Sequence, residues 1–167
     1  LILPTLIALS FPAFALEQVN IRFSHVVSPK SPKGLAADYF KKKLEENSTQ
    51  DIKFKVTVYP NSQLFKDKEE IDALQNGNVE VIAPAIAKIT PLGFPSFDLF
   101  DLPYLFDTEK EVHMITEGEI GKKMLSSVST KLMIGLSFWD NVFKQFSYNK
   151  PLNNGVRTYK NFLLFLS

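Results

Sequence analysis

The sequence predicts an α/β domain, because segments with the pattern of strands alternate with segments that have the pattern of helices. Apolar and polar residues alternate over residues 19–23, and Phe54, Val56 and Val58 repeat that alternation. Residues 79–83 form a third short apolar run. This β-α-β-α-β order favours one sheet with buried strands.

Two helices are predicted between these strands. Ser31 and Pro32 provide an N-cap and a first-turn proline for the first helix. Its apolar residues fall on one stripe, which we expect to face the core: Leu35, Ala36, Tyr39, Phe40 and Leu44. Ile71 and Leu74 are expected to face the core from the second helix, which should end at Gly77 because glycine is favoured just beyond a helix C-terminus.

The second half of the domain is less regular. Four prolines between residues 84 and 103 preclude long helices, so we interpret residues 90–106 as a loop across the edge of the sheet. Thr108 to Glu111 has the pattern of a capping box that opens a helix. Another helix should follow Gly118, and residues 132–139 have the pattern of a returning strand.

Composition excludes several classes of function. The net charge is +1 and the charged residues are interspersed in sign, which is not the pattern of a nucleic-acid-binding protein. Cysteine is absent, which removes disulfides, thiol nucleophiles and Cys-based metal sites. His25 and His113, the two histidines, lack the spacing of metal ligands, and no Gly-rich phosphate loop occurs. We therefore predict neither a cofactor nor an enzyme, and we interpret Asp98, Asp101 and Asp107 as turn residues.

The N-terminal residues 1–15 predict export. They are apolar and end in Ala13-Phe14-Ala15, an A-x-A-like cleavage signal, so we interpret them as a partial signal peptide cleaved near Ala15. The run is shorter than the roughly 20 residues that a membrane span requires. A buried N-terminal strand is the alternative, although Pro4 and Pro12 would interrupt its hydrogen bonds.

Two aromatic segments, residues 98–107 and 138–145, carry the strongest functional signal. Each combines aromatic side chains with isolated polar groups, as a pocket for an organic anion requires. A buried carboxylate needs a cation or several donors, and Lys88 and Lys144 are the basic residues in the pocket-like segments. Trp139 and Asn141 lie beside Lys144 in sequence, and His25 follows the first strand, where α/β proteins place ligand contacts.

The two segments resemble the solute-binding subunits of tripartite ATP-independent periplasmic (TRAP) transporters, in particular the C4-dicarboxylate-binding group. The resemblance covers roughly residues 19–152 and includes further stretches in the family's order: Ile21-Arg22-Phe23-Ser24-His25, Val58-Tyr59-Pro60-Asn61-Ser62-Gln63-Leu64-Phe65, Ala73-Leu74-Gln75-Asn76-Gly77 and Ala83-Pro84-Ala85-Ile86-Ala87-Lys88. It implies a periplasmic-binding-protein-like fold, which is the first α/β domain of a two-domain clamp.

The resemblance also implies binding without chemistry. The expected ligand is a small organic acid anion, the expected partner is a TRAP membrane permease, and the expected location is the periplasm. Related proteins that are specific for sialic acid carry Glu where this sequence has Ala85, so a simple dicarboxylate is favoured over an amino sugar acid. The expected ligand-binding residues are His25, Lys88, Trp139, Asn141 and Lys144; a structural role stays open for each, above all core packing for Trp139.

The sequence departs from the family near its end. We expect a first domain over residues 16–141, the start of a crossover over 142–152, and an off-motif tail over 153–167. The family continues with a Gly-Leu-Lys-hydrophobic-Arg strand whose arginine grips the ligand, and Arg157 does not stand in that context. Our hypothesis is a frameshift or premature stop shortly after Asn153, with the second domain largely missing; resequencing that region tests it. A non-functional truncated product and a small exported enzyme are the alternatives.

Overall fold

A computed structural model describes residues 17–102 and 105–140. Three parallel strands, β1 (Glu17–Ser24), β2 (Ile52–Tyr59) and β3 (Val81–Ile82), form a sheet in the order β2-β1-β3. β1 pairs with β2 over all eight of its residues, whereas β3 pairs only with the last two residues of β1, Phe23 and Ser24. The predicted α/β sheet is confirmed, with a third strand shorter than expected. β1 is the central strand, so its carboxyl end lies between those of its neighbours.

Helix α1 (Pro32–Glu46) begins as predicted, and its core face agrees with the predicted stripe in part, since Phe40 and Leu44 pack on the core. The Ser31 hydroxyl accepts a hydrogen bond from the Gly34 N–H at 3.1 Å, as an N-cap does. Leu35 and Tyr39 are 59% and 62% exposed, so their assignment to the buried stripe was wrong. Gly34 and Ala37 are buried instead, because the absence of a side chain at Gly34 lets the helix lie directly on the backbone of the preceding loop.

Helix α2 (Glu70–Gln75) ends where the sequence predicts. Gly77 lies just beyond it with φ +71°, the left-handed conformation that glycine adopts without strain. Ile71 is buried and Leu74 packs on the same core cluster, as expected. Glu70, at the first position of the helix, is also fully buried, which no pattern in the sequence indicated.

Residues 86–101 are more structured than the predicted loop. They form three short 3-10 helices, Ile86–Lys88, Thr90–Leu92 and Pro95–Asp101. Proline occupies an early position in the last two, where its fixed φ and missing N–H are tolerated. Phe94 and Phe97 are buried and their rings meet edge to face at 6.3 Å. The segment therefore contributes core side chains, although its prolines do exclude long helices.

The last described elements are α3 (Glu109–Thr116), α4 (Glu119–Ser127) and a 3-10 helix, Val128–Lys131. The predicted capping box is present, with Thr108 and Glu111 each accepting the other's backbone N–H at 3.3 Å. Residues 133–140 have no regular secondary structure and pair with none of the described strands, so the predicted strand is wrong within this part of the chain. A strand requires a hydrogen-bonded neighbour, and alternation of side chains cannot supply one.

Two core clusters stabilise the described part of the domain. One lies on the sheet and contains Phe23, Ala37 and Val56. The other is built on the helices and 3-10 segments: Ile71, Phe94, Phe97, Met124, Val128 and Met133. Residues 133–140 join the two clusters, because Phe138 packs on the second cluster and Trp139 on the first. Over residues 17–102 and 105–140, no helix has the length and hydrophobicity needed to cross a bilayer.

Candidate functional site

The candidate site lies at the carboxyl edge of the sheet, where the three parallel strands end together. Ser24 is the last residue of β1 and His25 follows it; both are fully buried. Ligand sites of open α/β sheets lie at this edge. Polar side chains are rarely buried without a reason, and here several are buried at once.

Glu70 is the most unusual member of this group. Its side chain is 0% exposed, and its Oε1 accepts a hydrogen bond from the Ser24 hydroxyl at 2.7 Å. The other oxygen, Oε2, is buried without a hydrogen-bond partner. Burial raises the pKa of Glu70 to about 7, Asp67 acts in the same direction, and the Ser24 hydrogen bond and Lys33 act against it. The carboxyl group is therefore poised to gain or lose a proton near neutral pH.

Lys33 brings a positive charge to the same place. It lies in the first turn of α1, is only 8% exposed, and donates from Nζ to the carbonyl oxygen of Ala83 at 3.2 Å. Ala83 directly follows β3, so the ammonium group lies at the carboxyl edge. Burial lowers the pKa of Lys33, and the negative charges of Glu70 and Asp67 oppose that effect. A buried ammonium group is the partner that a desolvated carboxylate needs.

His25 is buried beside this cluster with both ring nitrogens available. Neither nitrogen makes a well-formed hydrogen bond with the described residues, although the backbone of Val27 lies near enough to favour the charged ring. Burial lowers the pKa of His25 despite that contact, and the charge of Lys33 lowers it further. At neutral pH the imidazole is therefore uncharged, with one donor and one acceptor nitrogen.

Trp139, in the irregular segment 133–140, lies near the same edge of the sheet. Its ring packs on Phe23 at a centroid distance of 5.8 Å, and the Phe23 and His25 rings lie nearly perpendicular to each other at a centroid distance of 6.1 Å. The structure therefore places two predicted site residues, His25 and Trp139, against one buried ring. Trp139 is half-buried, so part of its side chain packs on the core and part is exposed.

The other predicted site residues are less well defined. The Lys88 ammonium group pairs with Asp67 at 2.7 Å, and both side chains are more than a third exposed. Its charge is therefore already matched by a carboxylate, which weakens the attraction it could exert on an anionic ligand. Asn141 and Lys144 lie outside the described residues.

His113 has a partner that the sequence did not reveal. From α3, its Nε2 lies 2.7 Å from Oδ2 of Asp140, the residue after Trp139. This hydrogen bond and the charge of Asp140 raise the pKa of His113. The pair joins helix α3 to the residue that follows Trp139, one of the predicted site residues.

Two other places in the described residues lack the features of a small-ligand or metal site. A shallow depression of about 520 Å³ on α1 is lined by charged residues of a single helix and has no aromatic or aliphatic residue in its wall: Asp38, Lys41, Lys42, Glu45 and Glu46. Across the described residues, no three or more His, Asp or Glu side chains come together in a way that could hold a metal ion.

Comparison with known proteins identifies the family. Residues 23–155 match the model of the bacterial extracellular solute-binding proteins, family 7. The chain belongs to this family. Over 146 residues it is 50% identical to the C4-dicarboxylate-binding periplasmic protein DctP of Rhodobacter capsulatus, a match that covers 87% of this chain and 43% of the relative. The chain thus spans less than half the length of this curated family 7 relative.

Two solved structures agree with the fold. A TRAP periplasmic solute-binding protein from Sulfurospirillum deleyianum with bound succinate is 39% identical to this chain and superposes with a TM-score of 0.67. The match covers 75% of this chain and 39% of the Sulfurospirillum protein. The sugar acid binding protein of Advenella mimigardefordensis, in complex with galactonate, is 34% identical and superposes with a TM-score of 0.70. This match covers 77% of this chain and 41% of the Advenella protein. The described domain therefore has the α/β fold of a TRAP periplasmic binding protein and corresponds to part of such a protein.

Sequence reasoning missed three buried polar residues of the candidate site, Ser24, Lys33 and Glu70. Lys33 carried a usable signal, because the first turn of a helix that follows a strand lies at the carboxyl edge of the sheet. Glu70 carried none, because it ends a run of charged residues, 66–70, that has the pattern of a solvated surface.

Proposed function

We propose that this protein is the solute-binding subunit of a TRAP transporter and captures a small organic acid anion, a C4-dicarboxylate. The observation that carries the proposal is the buried ammonium group of Lys33, which lies at the carboxyl edge of the sheet in a chain 50% identical to a C4-dicarboxylate-binding protein. Such a cation can offset the cost of removing a ligand carboxylate from water.

We propose that Lys33 acts together with the residues predicted from the sequence. The proposed ligand-binding set is therefore His25, Lys33, Lys88, Trp139, Asn141 and Lys144. His25 can donate or accept a hydrogen bond, and the half-buried Trp139 ring can cover the apolar middle of a C4 chain. These residues form one wall; the second wall of a clamp closes because the ligand makes additional contacts in the closed state.

The location and partners follow from the same proposal. Residues 1–15 act as a signal peptide that is cleaved near Ala15, which delivers the protein to the periplasm. The loaded protein is then recognised by the membrane permease of a TRAP transporter. The role is binding and not catalysis.

A binding measurement with matched lysine variants tests the proposal. Titration of the purified chain with succinate, followed by calorimetry or ligand-induced thermal stabilisation, should show saturable binding. Lys33→Met should weaken it at least tenfold, about 1.4 kcal/mol. Lys30→Met removes the same charge from an exposed position in the loop before α1 and should leave the affinity unchanged.

The outcomes separate the alternatives. Equal affinities for Lys33→Met and the parent would remove Lys33 from the site. Tighter binding of galactonate than of succinate would favour a sugar acid ligand, as in the Advenella relative. No binding of either acid would favour a non-functional product, and turnover of an ester or glycoside would favour an exported enzyme.

A further inference from the structure

The buried carboxyl group of Glu70 is not needed to attract an anion, and its charge would oppose one. It nevertheless accepts a hydrogen bond from Ser24 at the carboxyl edge of the sheet, the same edge at which Lys33 contacts the Ala83 carbonyl and the proposed ligand binds. A fully buried carboxylate with one unpartnered oxygen is costly to maintain. This arrangement calls for a role other than direct attraction of the ligand.

The groups that act on Glu70 come from three elements. From β1, Ser24 donates a hydrogen bond to Oε1. From α1, Lys33 favours the ionised carboxylate, and from the segment before α2, Asp67 disfavours it. Asp67 is itself paired with Lys88. Of the charged groups that act on Glu70, Lys33 is therefore the one that favours the ionised carboxylate.

Ligand binding changes this balance. A ligand carboxylate that pairs with Lys33 offsets the positive charge that stabilises ionised Glu70, and it adds negative charge nearby. Oε2 can accept a proton without breaking the Ser24 hydrogen bond, because that bond is made to Oε1. Protonation of Glu70 thus removes its repulsion with the ligand carboxylate, and the hydrogen bond from Ser24 is kept.

We propose that binding of an organic dianion at this edge is coupled to the uptake of one proton from solvent by Oε2 of Glu70. The inference rests on the proposed function, because it requires an anionic ligand beside Lys33. It adds a form of regulation. The affinity for the dianion should fall as the pH rises above neutral, because binding takes up a proton and the proton concentration falls.

Calorimetry in buffers of different ionisation enthalpy measures this proton directly. Succinate should be titrated into the whole chain at pH 8, where both ligand carboxyl groups are ionised. Since the free protein holds only about a tenth of a proton on Glu70 there, the parent should take up close to one proton per ligand, and its affinity should fall by up to about tenfold per pH unit above 7.

Two variants assign the proton to Glu70. Glu70→Gln should bind succinate without proton uptake and with an affinity that is constant from about pH 7 to 9. Glu69→Gln, which removes the neighbouring exposed carboxylate, should behave like the parent. If Glu70→Gln does not fold, a carbon-13 NMR titration of the parent should instead show that succinate raises the pKa of Glu70.

The results distinguish this inference from the proposed function. Succinate binding by the parent without proton uptake, proton uptake that persists in Glu70→Gln, or an unchanged Glu70 pKa in the NMR titration would each overturn the inference alone. Persistent uptake would point to His25 as the proton acceptor. No succinate binding by the parent or either variant would overturn the proposed function and the inference together.

Discussion

Replacing Glu70 by glutamine should change the pH dependence of folding stability in a defined direction. The carboxyl group is fully buried, and its pKa is raised from 4.5 to about 7 in the folded protein. Since each pKa unit corresponds to about 1.4 kcal/mol, ionised Glu70 destabilises the folded state by about 3 kcal/mol. Glutamine keeps the shape of the side chain and is neutral at every pH.

The sign follows from which state holds the proton. Below pH 4.5, Glu70 is protonated in the folded and unfolded states, so it contributes no pH dependence. Between that value and about 7 the folded state holds the proton more tightly, so stability falls as the pH rises, and the loss is complete above the folded pKa. The stability of Glu70→Gln relative to the parent should therefore increase by about 2 to 3 kcal/mol between about pH 5 and pH 8.

Urea denaturation at several pH values measures this difference, with the single tryptophan, Trp139, as the fluorescent reporter. Its ring packs on Phe23, so unfolding should change its emission. The buried amide of the variant adds an unpaired donor that costs roughly 1–3 kcal/mol at every pH. The test is therefore how the free energy of unfolding changes with pH, and not its value at any one pH. Glu69→Gln, at an exposed position, should keep the parent's slope. Parallel profiles for Glu70→Gln and the parent would refute the reasoning.

Three further predictions concern packing and the contact between His113 and Asp140. Gly34→Ala should destabilise the protein by about 1–3 kcal/mol in urea denaturation, despite the higher helix propensity of alanine, because the new Cβ would collide with the carbonyl oxygen of Ser28; a more stable variant would contradict this. Phe23→Ala should cost about 3–5 kcal/mol, since the ring is fully buried, and a loss below about 1 kcal/mol would be inconsistent with its place in the core. His113→Gln should be less stable than the parent at about pH 6, and this deficit should shrink towards pH 9, because Asp140 raises the His113 pKa and the contribution disappears as the pH rises through it; an equal deficit at both ends would argue against the pair.

Much of the fold could be predicted because its signals are local. The N-cap at Ser31, the capping box of Thr108 and Glu111, and the left-handed Gly77 each depend on residues within a few positions of one another. The order of strands and helices follows from short-range patterns in the same way. Prediction was less successful for residues 133–140, because their extended pattern does not reveal whether a neighbouring strand is present.

The candidate site was predicted in part for the same reason. His25 and Trp139 were identified from their places in motifs, and the structure brings both against the Phe23 ring. Lys33 and Glu70 were not identified, because charged residues in sequence ordinarily indicate a solvated surface. Their burial results from packing between α1, α2 and the ends of the strands, which no local pattern encodes.

Residue types and their order along the chain are enough to predict the class of fold, the caps and ends of the helices, and the resemblance to a family. The buried charges, the burial of Gly34 and Ala37 on α1, and the contact of His113 with Asp140, 27 residues away, become visible only in the folded chain. The physical reason is that burial and pKa depend on the groups surrounding a residue in space. Those groups come from elements that the sequence keeps far apart.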